Sequence, residues 1–180
     1  MTLMEMQQTP IDRNSIPASI FRAYDIRGIV EEQLNTDRVR QIGQAIGSEA
    51  LFKGINSLLL GFDGRLSSPH LSQALIEGLC RSGCNVVSLG MIPTPLLYFA
   101  THVTEFASGV MLTASHSPAN YNGLKIVFNR SCLADNEIQN ICARLEQGNL
   151  LNGHGTYSEI DIKADYIENV SSGIKLKRRL

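Results

Sequence analysis

The chain has 180 residues, with 16 basic and 17 acidic side chains and a net charge of −1. A balance this close creates no field that would gather nucleic acid or an anionic membrane, and no apolar run approaches the ~18 residues that a membrane-spanning helix needs. The length suits one domain, or one domain with a fragment of a second, and is enough for a sizeable core.

Residues 1–15 are mixed polar with no apolar centre, which reads as a flexible leader rather than a secretory signal, so a soluble cytoplasmic protein is expected. Asn35-Thr36-Asp37 supplies capping groups for a helix over 36–52, with Val39, Ile42, Ile46 and Leu51 at helical spacing. Residues 57–62 form a continuous apolar strand. Ser68 as cap and Pro69 at the first helical position start a helix to about 81, which Gly83 stops. A strand follows over 85–89, and Pro93-Thr94-Pro95 opens a short helix to about 103. Strands are expected over 108–113 and 124–128, then a helix from a capping Asp135 to 147 with Gly148 as its stop, and a last helix over 161–172. From Ile174 an alternating pattern begins that reads as the start of a second domain, leaving 16–173 as the first. Its Lys175, Lys177, Arg178 and Arg179 fit a solvated strand face better than a polyanion site.

Strands alternating with helices predict a three-layer α/β/α domain with a mainly parallel sheet. The strand over 124–128 follows the one over 108–113 too closely for a parallel crossover, which takes about a dozen residues, so the sheet is expected to be mixed. Cys80, Cys84, Cys132 and Cys142 contain no C-x-x-C pair, and His70, His102, His116 and His154 are scattered. Cys80 and Cys84 read as small buried hydrophobes, and no zinc site is expected.

Chemistry concentrates where the apolar run Gly109-Val110-Met111-Leu112 ends. Ser115 follows it, beside His116 and close to Pro118, so its hydroxyl should open onto a cleft at a strand mouth. Asn122-Gly123 is expected to make a second sharp turn before a strand that carries Lys125 among apolar residues. Such a loop can hold a covalent group on the serine with a proton-transferring or phosphate-binding lysine nearby. A lysine on a sheet edge facing water is the plainer reading of Lys125. A protease-like Ser115/His116 pair is rejected, because adjacent side chains rarely converge and no G-x-S-x-G elbow is present. Asp63-Gly64-Arg65 also follows a strand end and should share the same rim.

Thr113-Ala114-Ser115-His116-Ser117-Pro118, followed by Tyr121-Asn122-Gly123-Leu124-Lys125-Ile126-Val127, resembles the phosphoserine loop of the α-D-phosphohexomutases. It looks most like the bacterial phosphomannomutase/phosphoglucomutase branch. Phe21-Arg22-Ala23-Tyr24-Asp25-Ile26-Arg27-Gly28 is similar to that branch's N-terminal signature, and Gly61-Phe62-Asp63-Gly64-Arg65-Leu66-Ser67 lies between the two in the family's order. The resemblance implies domain I of a four-domain enzyme that interconverts hexose 1-phosphates and hexose 6-phosphates through a hexose 1,6-bisphosphate. It makes Ser115 the phosphorylated residue and, through its phosphate, a ligand of Mg²⁺ whose other ligands belong to the second domain. It implies that Arg27 and Lys125 contact phosphate or move a proton and that Tyr24 lines the cleft. A surface ion pair is the alternative for Arg27. His116 either assists proton transfer or holds the loop. Asp63 and Arg65 are expected to brace it rather than touch substrate, with a strand-end turn and an ion pair as their alternative. Ser117 stands where the motif has asparagine, Asn120 where this branch often has aspartate, and Phe62 where arginine is usual. The implied partners are the hexose phosphates and the remaining domains of the same chain, without which these residues should be inactive. A non-catalytic sugar-phosphate-binding or regulatory module is the competing class.

Overall fold

In a computed structural model of the chain, residues 16–174 are described; the leader expected over 1–15 and the basic stretch 175–180 lie outside them. The elements in order are β1 (Ile26–Ile29), α1 (Thr36–Phe52), β2 (Ser57–Phe62), α2 (Ser68–Ser82), β3 (Asn85–Met91), α3 (Thr94–Val103), β4 (Gly109–Leu112), β5 (Tyr121–Phe128), β6 (Ser131–Cys132), α4 (Asn136–Glu146), β7 (Tyr157–Glu159) and α5 (Lys163–Ser172). The strands form one seven-stranded sheet in the order β1-β5-β4-β2-β3-β7, with β6 paired to β5. β2 pairs in parallel with β3 and β4, and β3 with β7, whereas β5 is antiparallel to β1, β4 and β6. β5 alone runs against the rest, so the sheet is mixed for the reason expected: a short loop joins β4 to β5.

Strand alternation divides the apolar residues between two faces. Leu58 and Leu60 of β2, Val110 and Leu112 of β4, and Leu124 and Ile126 of β5 pack with α1, α2 and α4. Leu59, Val87, Leu89 and Met111 face the other way and pack with Leu96, Leu97 and Ala100 of α3. This second cluster takes no residue from β1 or β5. The corresponding face of those two strands carries the charged residues of the site.

Local signals act largely as expected at the helix ends. Asn35 accepts a hydrogen bond from the Arg38 amide at 2.9 Å, and Gly83 ends α2 in the left-handed conformation at φ 98°. α2 begins at Ser68 with Ser67 in the capping position, and neither serine caps with its side chain; both hydroxyls are drawn into contacts across the rim described below. Asp135 precedes α4 but makes no side-chain cap, its amide being bonded to the Ala23 carbonyl. Asn122 and Gly123 do not form a turn. They lie inside β5, because the chain reverses earlier, through turns closed by Ser117 N to Ala114 O and Tyr121 N to Pro118 O, both at 3.0 Å.

α1 and α2 approach closely because glycine stands at their contact. A Cβ on Gly78 would lie 2.0 Å from the Arg40 carbonyl oxygen, which is backbone and cannot move aside. Gly78→Ala is expected to lower stability by roughly 1–3 kcal/mol through overpacking. A urea midpoint that falls with unchanged slope would report it, and an unchanged midpoint would contradict it. The cysteines give a second expectation. Burial pushes the Cys84 thiol up to about 12 and, with Glu146 adding to the effect, the Cys142 thiol up to about 11. A raised pKa keeps a thiol protonated at pH 8, and the thiolate is the nucleophile. Iodoacetamide at pH 8 should therefore modify the exposed Cys132 well before Cys84 or Cys142, as peptide mapping would show.

Candidate active site

β2 and β4 end side by side, with Phe62 paired to Leu112, so the loops leaving them share one rim. The Asp63 amide donates to the Leu112 carbonyl at 3.1 Å. Its carboxylate is a hub. Oδ2 accepts from the Thr113 hydroxyl at 2.8 Å and from Arg65 Nε at 3.2 Å, while Oδ1 accepts from the Ser68 hydroxyl at 2.6 Å and the Arg65 amide at 3.2 Å. Arg65 then reaches over the β4–β5 loop. Nη1 donates to the carbonyls of Pro118 at 2.7 Å and Tyr121 at 3.0 Å, and Nη2 to those of Ser115 at 3.0 Å and Ser117 at 2.8 Å. Counting the Asp63 contact, these five bonds use all five N–H donors of a guanidinium. Arg65 has no donor left for a phosphate.

Ser115 stands exposed on this loop, as does His116. Its backbone is left-handed at φ 54°, a conformation that costs a non-glycine residue of order 1–3 kcal/mol and persists only where the surroundings enforce it. Its amide is held by Thr113 Oγ1 at 3.0 Å. The end of the loop is pinned by Asn122, which is fully buried and donates from Nδ2 to the hydroxyls of Ser67 at 2.9 Å and Ser68 at 3.1 Å.

The charged face of β1 and β5 borders this loop. Ile26 pairs with Leu124 and Arg27 with Gly123, a register that sets Asp25 opposite Lys125. Gly123 is required there, since a Cβ would meet the Ile26 carbonyl oxygen at 2.4 Å and hold the strands apart. Asp25 is 2% exposed. Its Oδ2 accepts from Arg27 Nη2 and from Lys125 Nζ, the latter at 3.5 Å. Arg27 Nη1 donates to the Ser117 hydroxyl at 3.0 Å, and Lys125 Nζ lies 5.2 Å from the centre of the Tyr24 ring, which is itself exposed. Arg27 is thus in an ion pair, with a buried carboxylate and only partly buried itself. The sequence reading gave no site role to Asp25, Thr113 or Asn122. Asp25 had a legible signal, since acid and base two apart on a strand share a face. The partners of Thr113 and Asn122 are about fifty residues away in sequence and left no local sign. Of the departures from the motif, Phe62 packs partly buried against the core, Ser117 receives Arg27, and the Asn120 carbonyl accepts from the Val30 amide at 2.8 Å.

Because Arg65 bonds four loop carbonyls with planar geometry, a lysine cannot replace it. Arg65→Lys is expected to speed amide hydrogen exchange at Ser115, Ser117 and Tyr121 by at least roughly tenfold, given about 1.5–3 kcal/mol for a charge-assisted hydrogen bond. Unchanged exchange across the loop would contradict this.

The protein-family model for phosphoglucomutase/phosphomannomutase, alpha/beta/alpha domain I, matches residues 18–151. A phosphomannomutase/phosphoglucomutase from Pseudomonas aeruginosa is 46% identical over 164 residues, which are 91% of this chain and 35% of that protein. A phosphoglucomutase from Neisseria meningitidis serogroup B is 42% identical over 166 residues, again 91% of this chain and 36% of the relative. The crystal structure of a phosphoglucomutase/phosphomannomutase family protein from Burkholderia thailandensis superposes with a TM-score of 0.87 at 38% identity, covering 91% of this chain and 37% of that one. The chain therefore spans about a third of the length of these relatives. With the motifs, the fold and the matched residues in agreement, the chain belongs to the phosphoglucomutase/phosphomannomutase family, in which it corresponds to α/β/α domain I.

Proposed function

We propose that these residues are the phosphoserine domain of a phosphohexomutase, an isomerase that interconverts hexose 1-phosphate and hexose 6-phosphate of mannose or glucose. The observation that carries this reading is Ser115 itself: an exposed, left-handed residue in a loop whose carbonyls Arg65 ties down and whose Ser117 hydroxyl receives Arg27, which shares Asp25 with Lys125. The family match and the mutase names of the relatives support it.

In the proposed reaction Ser115 carries a phosphoryl group. A sugar hydroxyl oxygen attacks the phosphorus, the Oγ–P bond breaks as the new O–P bond forms, and the hydroxyl proton passes to the imidazole of His116, while Lys125, as a cation, contacts the oxygens of the transferring group. The bisphosphate so formed turns over and returns its other phosphoryl group to Ser115. Positioning and charge neutralisation supply most of the acceleration in such a transfer. Arg27 contributes to both. Each of its Nη nitrogens spends one N–H, on Asp25 or on Ser117, which leaves one on each for a phosphate oxygen. Tyr24 lines the same side of the cleft.

No three of the described His, Cys, Asp and Glu residues converge as metal ligands. This domain fits Mg²⁺ only through a phosphate oxygen on Ser115, with the remaining oxygen ligands contributed by a following domain. When bound, the ion offsets negative charge on the transferring group. It follows that residues 1–180 by themselves should turn over no sugar phosphate, whereas the full-length mutase does. Among the described residues no helix is long and apolar enough to cross a membrane. A cytoplasmic setting is part of the proposal, and the four free thiols suit a reducing compartment.

The test is to treat the full-length protein with glucose 1,6-bisphosphate and map the product by intact mass and peptide fragmentation. One phosphate on Ser115 is expected. Phosphate on Ser117 or Thr113 with Ser115 unmodified would overturn the reading.

A further inference from the structure

We infer that Asp25 is a positioning residue whose carboxylate gathers Arg27 and Lys125 into a single two-cation site at the mouth of the serine loop; as a statement about catalysis, this rests on the phosphohexomutase reading above. Three observations carry it. The register of β1 against β5 sets Asp25 across from Lys125, while strand alternation sets Arg27 on the same face two residues on. Both cations meet the same oxygen, Oδ2, and neither belongs to the exterior: their side chains are 17% and 19% exposed, and that of Asp25 is 2% exposed. Asp25 Oδ1 and Arg27 Nε are buried with no hydrogen-bond partner.

The third observation separates a positioning role from a merely structural one. A carboxylate that served only to hold β1 to β5 would be expected to use both oxygens, because each unmet buried polar atom costs stability. Asp25 forgoes that and concentrates two positive groups on one atom. Local rules are broken in this way where a site needs a geometry that stability alone would not select. Without the carboxylate, two like charges would face each other with little water to separate them. Lys125, on the longer and more flexible stem, would swing away from Arg27 toward solvent.

Removing the charge has a signature that loss of structure does not share. Asp25→Asn keeps the shape and an acceptor but leaves the site one unit more positive. A phosphate ester should then bind as well as before or better, while transfer slows because Lys125 is misplaced. In the full-length enzyme, D25N should lower kcat for glucose 1-phosphate by roughly ten- to a hundredfold, in the range of a lost charge-assisted contact to the transferring group, with KM unchanged or reduced. A variant that loses thermal stability while keeping wild-type kcat and KM would overturn the inference.

A second measurement does not depend on turnover. Lysine acetylation by the N-hydroxysuccinimide ester of acetic acid, followed residue by residue in the 180-residue chain, should be roughly tenfold faster at Lys125 in D25N, with Lys53 and Lys163 unchanged. In Arg27→Met, Asp25 still holds Lys125, so its labelling should be no faster than in the wild type. Equal protection of Lys125 in D25N, or its release in R27M, would show that Asp25 does not hold it. Should D25N fail to fold, R27M decides the point. A wild-type full-length protein without mutase activity would remove the phosphohexomutase reading, and the labelling would still decide whether Asp25 positions the two cations.

Discussion

One guanidinium determines the shape of the region around Ser115. Arg65 anchors one N–H on Asp63 and divides the other four among the carbonyls of Ser115, Ser117, Pro118 and Tyr121. Those carbonyls converge because the chain must reverse between β4 and β5 within a few residues, and a reversal this tight turns several peptide oxygens inward. Left unpaired they would be costly, and a planar, permanently charged fork satisfies them together. The same reversal makes β5 the single strand that opposes the others, and that direction brings Lys125 opposite Asp25.

Asp63 makes the arrangement self-consistent. It joins the loop after β2, the hydroxyl of Thr113 at the start of the serine loop and the first residue of α2. Neighbouring parallel strands place their carboxyl ends on one rim, so residues from two separate stretches of sequence meet there without a long detour. Ser115 is then held at a positive φ by contacts on both sides, its amide on Thr113 and its carbonyl on Arg65. Strain of this kind is maintained by the surroundings rather than by the residue itself.

Charge is placed by the same logic of faces. One side of the sheet is apolar from β1 across to β3 and is covered by α1, α2 and α4. On the other side α3 covers β2 and β4, and the apolar cluster there does not extend to β1 or β5. Asp25, Arg27 and Lys125 occupy that gap. Burying a carboxylate to 2% exposure is tolerable only with cationic partners; strand alternation supplies Arg27 and the register against β5 supplies Lys125.

Much of this was legible in the residues. The period of apolar positions gave the helices and the central strands, Asn35 and Gly83 marked helix ends, and the short spacing between the strands now seen as β4 and β5 required antiparallel pairing. Short or polar strands were not legible: β7 is exposed along its whole length, β6 has two residues, and neither carries an apolar alternation. Asn122-Gly123 carried the chemistry of a turn and became strand, because Asn122 could satisfy its amide on Ser67 and Ser68 only from within β5. Local composition therefore determined which segments are helix or strand and which motifs they bear, since those depend on neighbours in sequence. Which donors Arg65 spends, which oxygen Asp25 shares and where Asn122 points were decided by the tertiary structure alone. Each depends on groups tens of residues distant, brought together only when the sheet assembles.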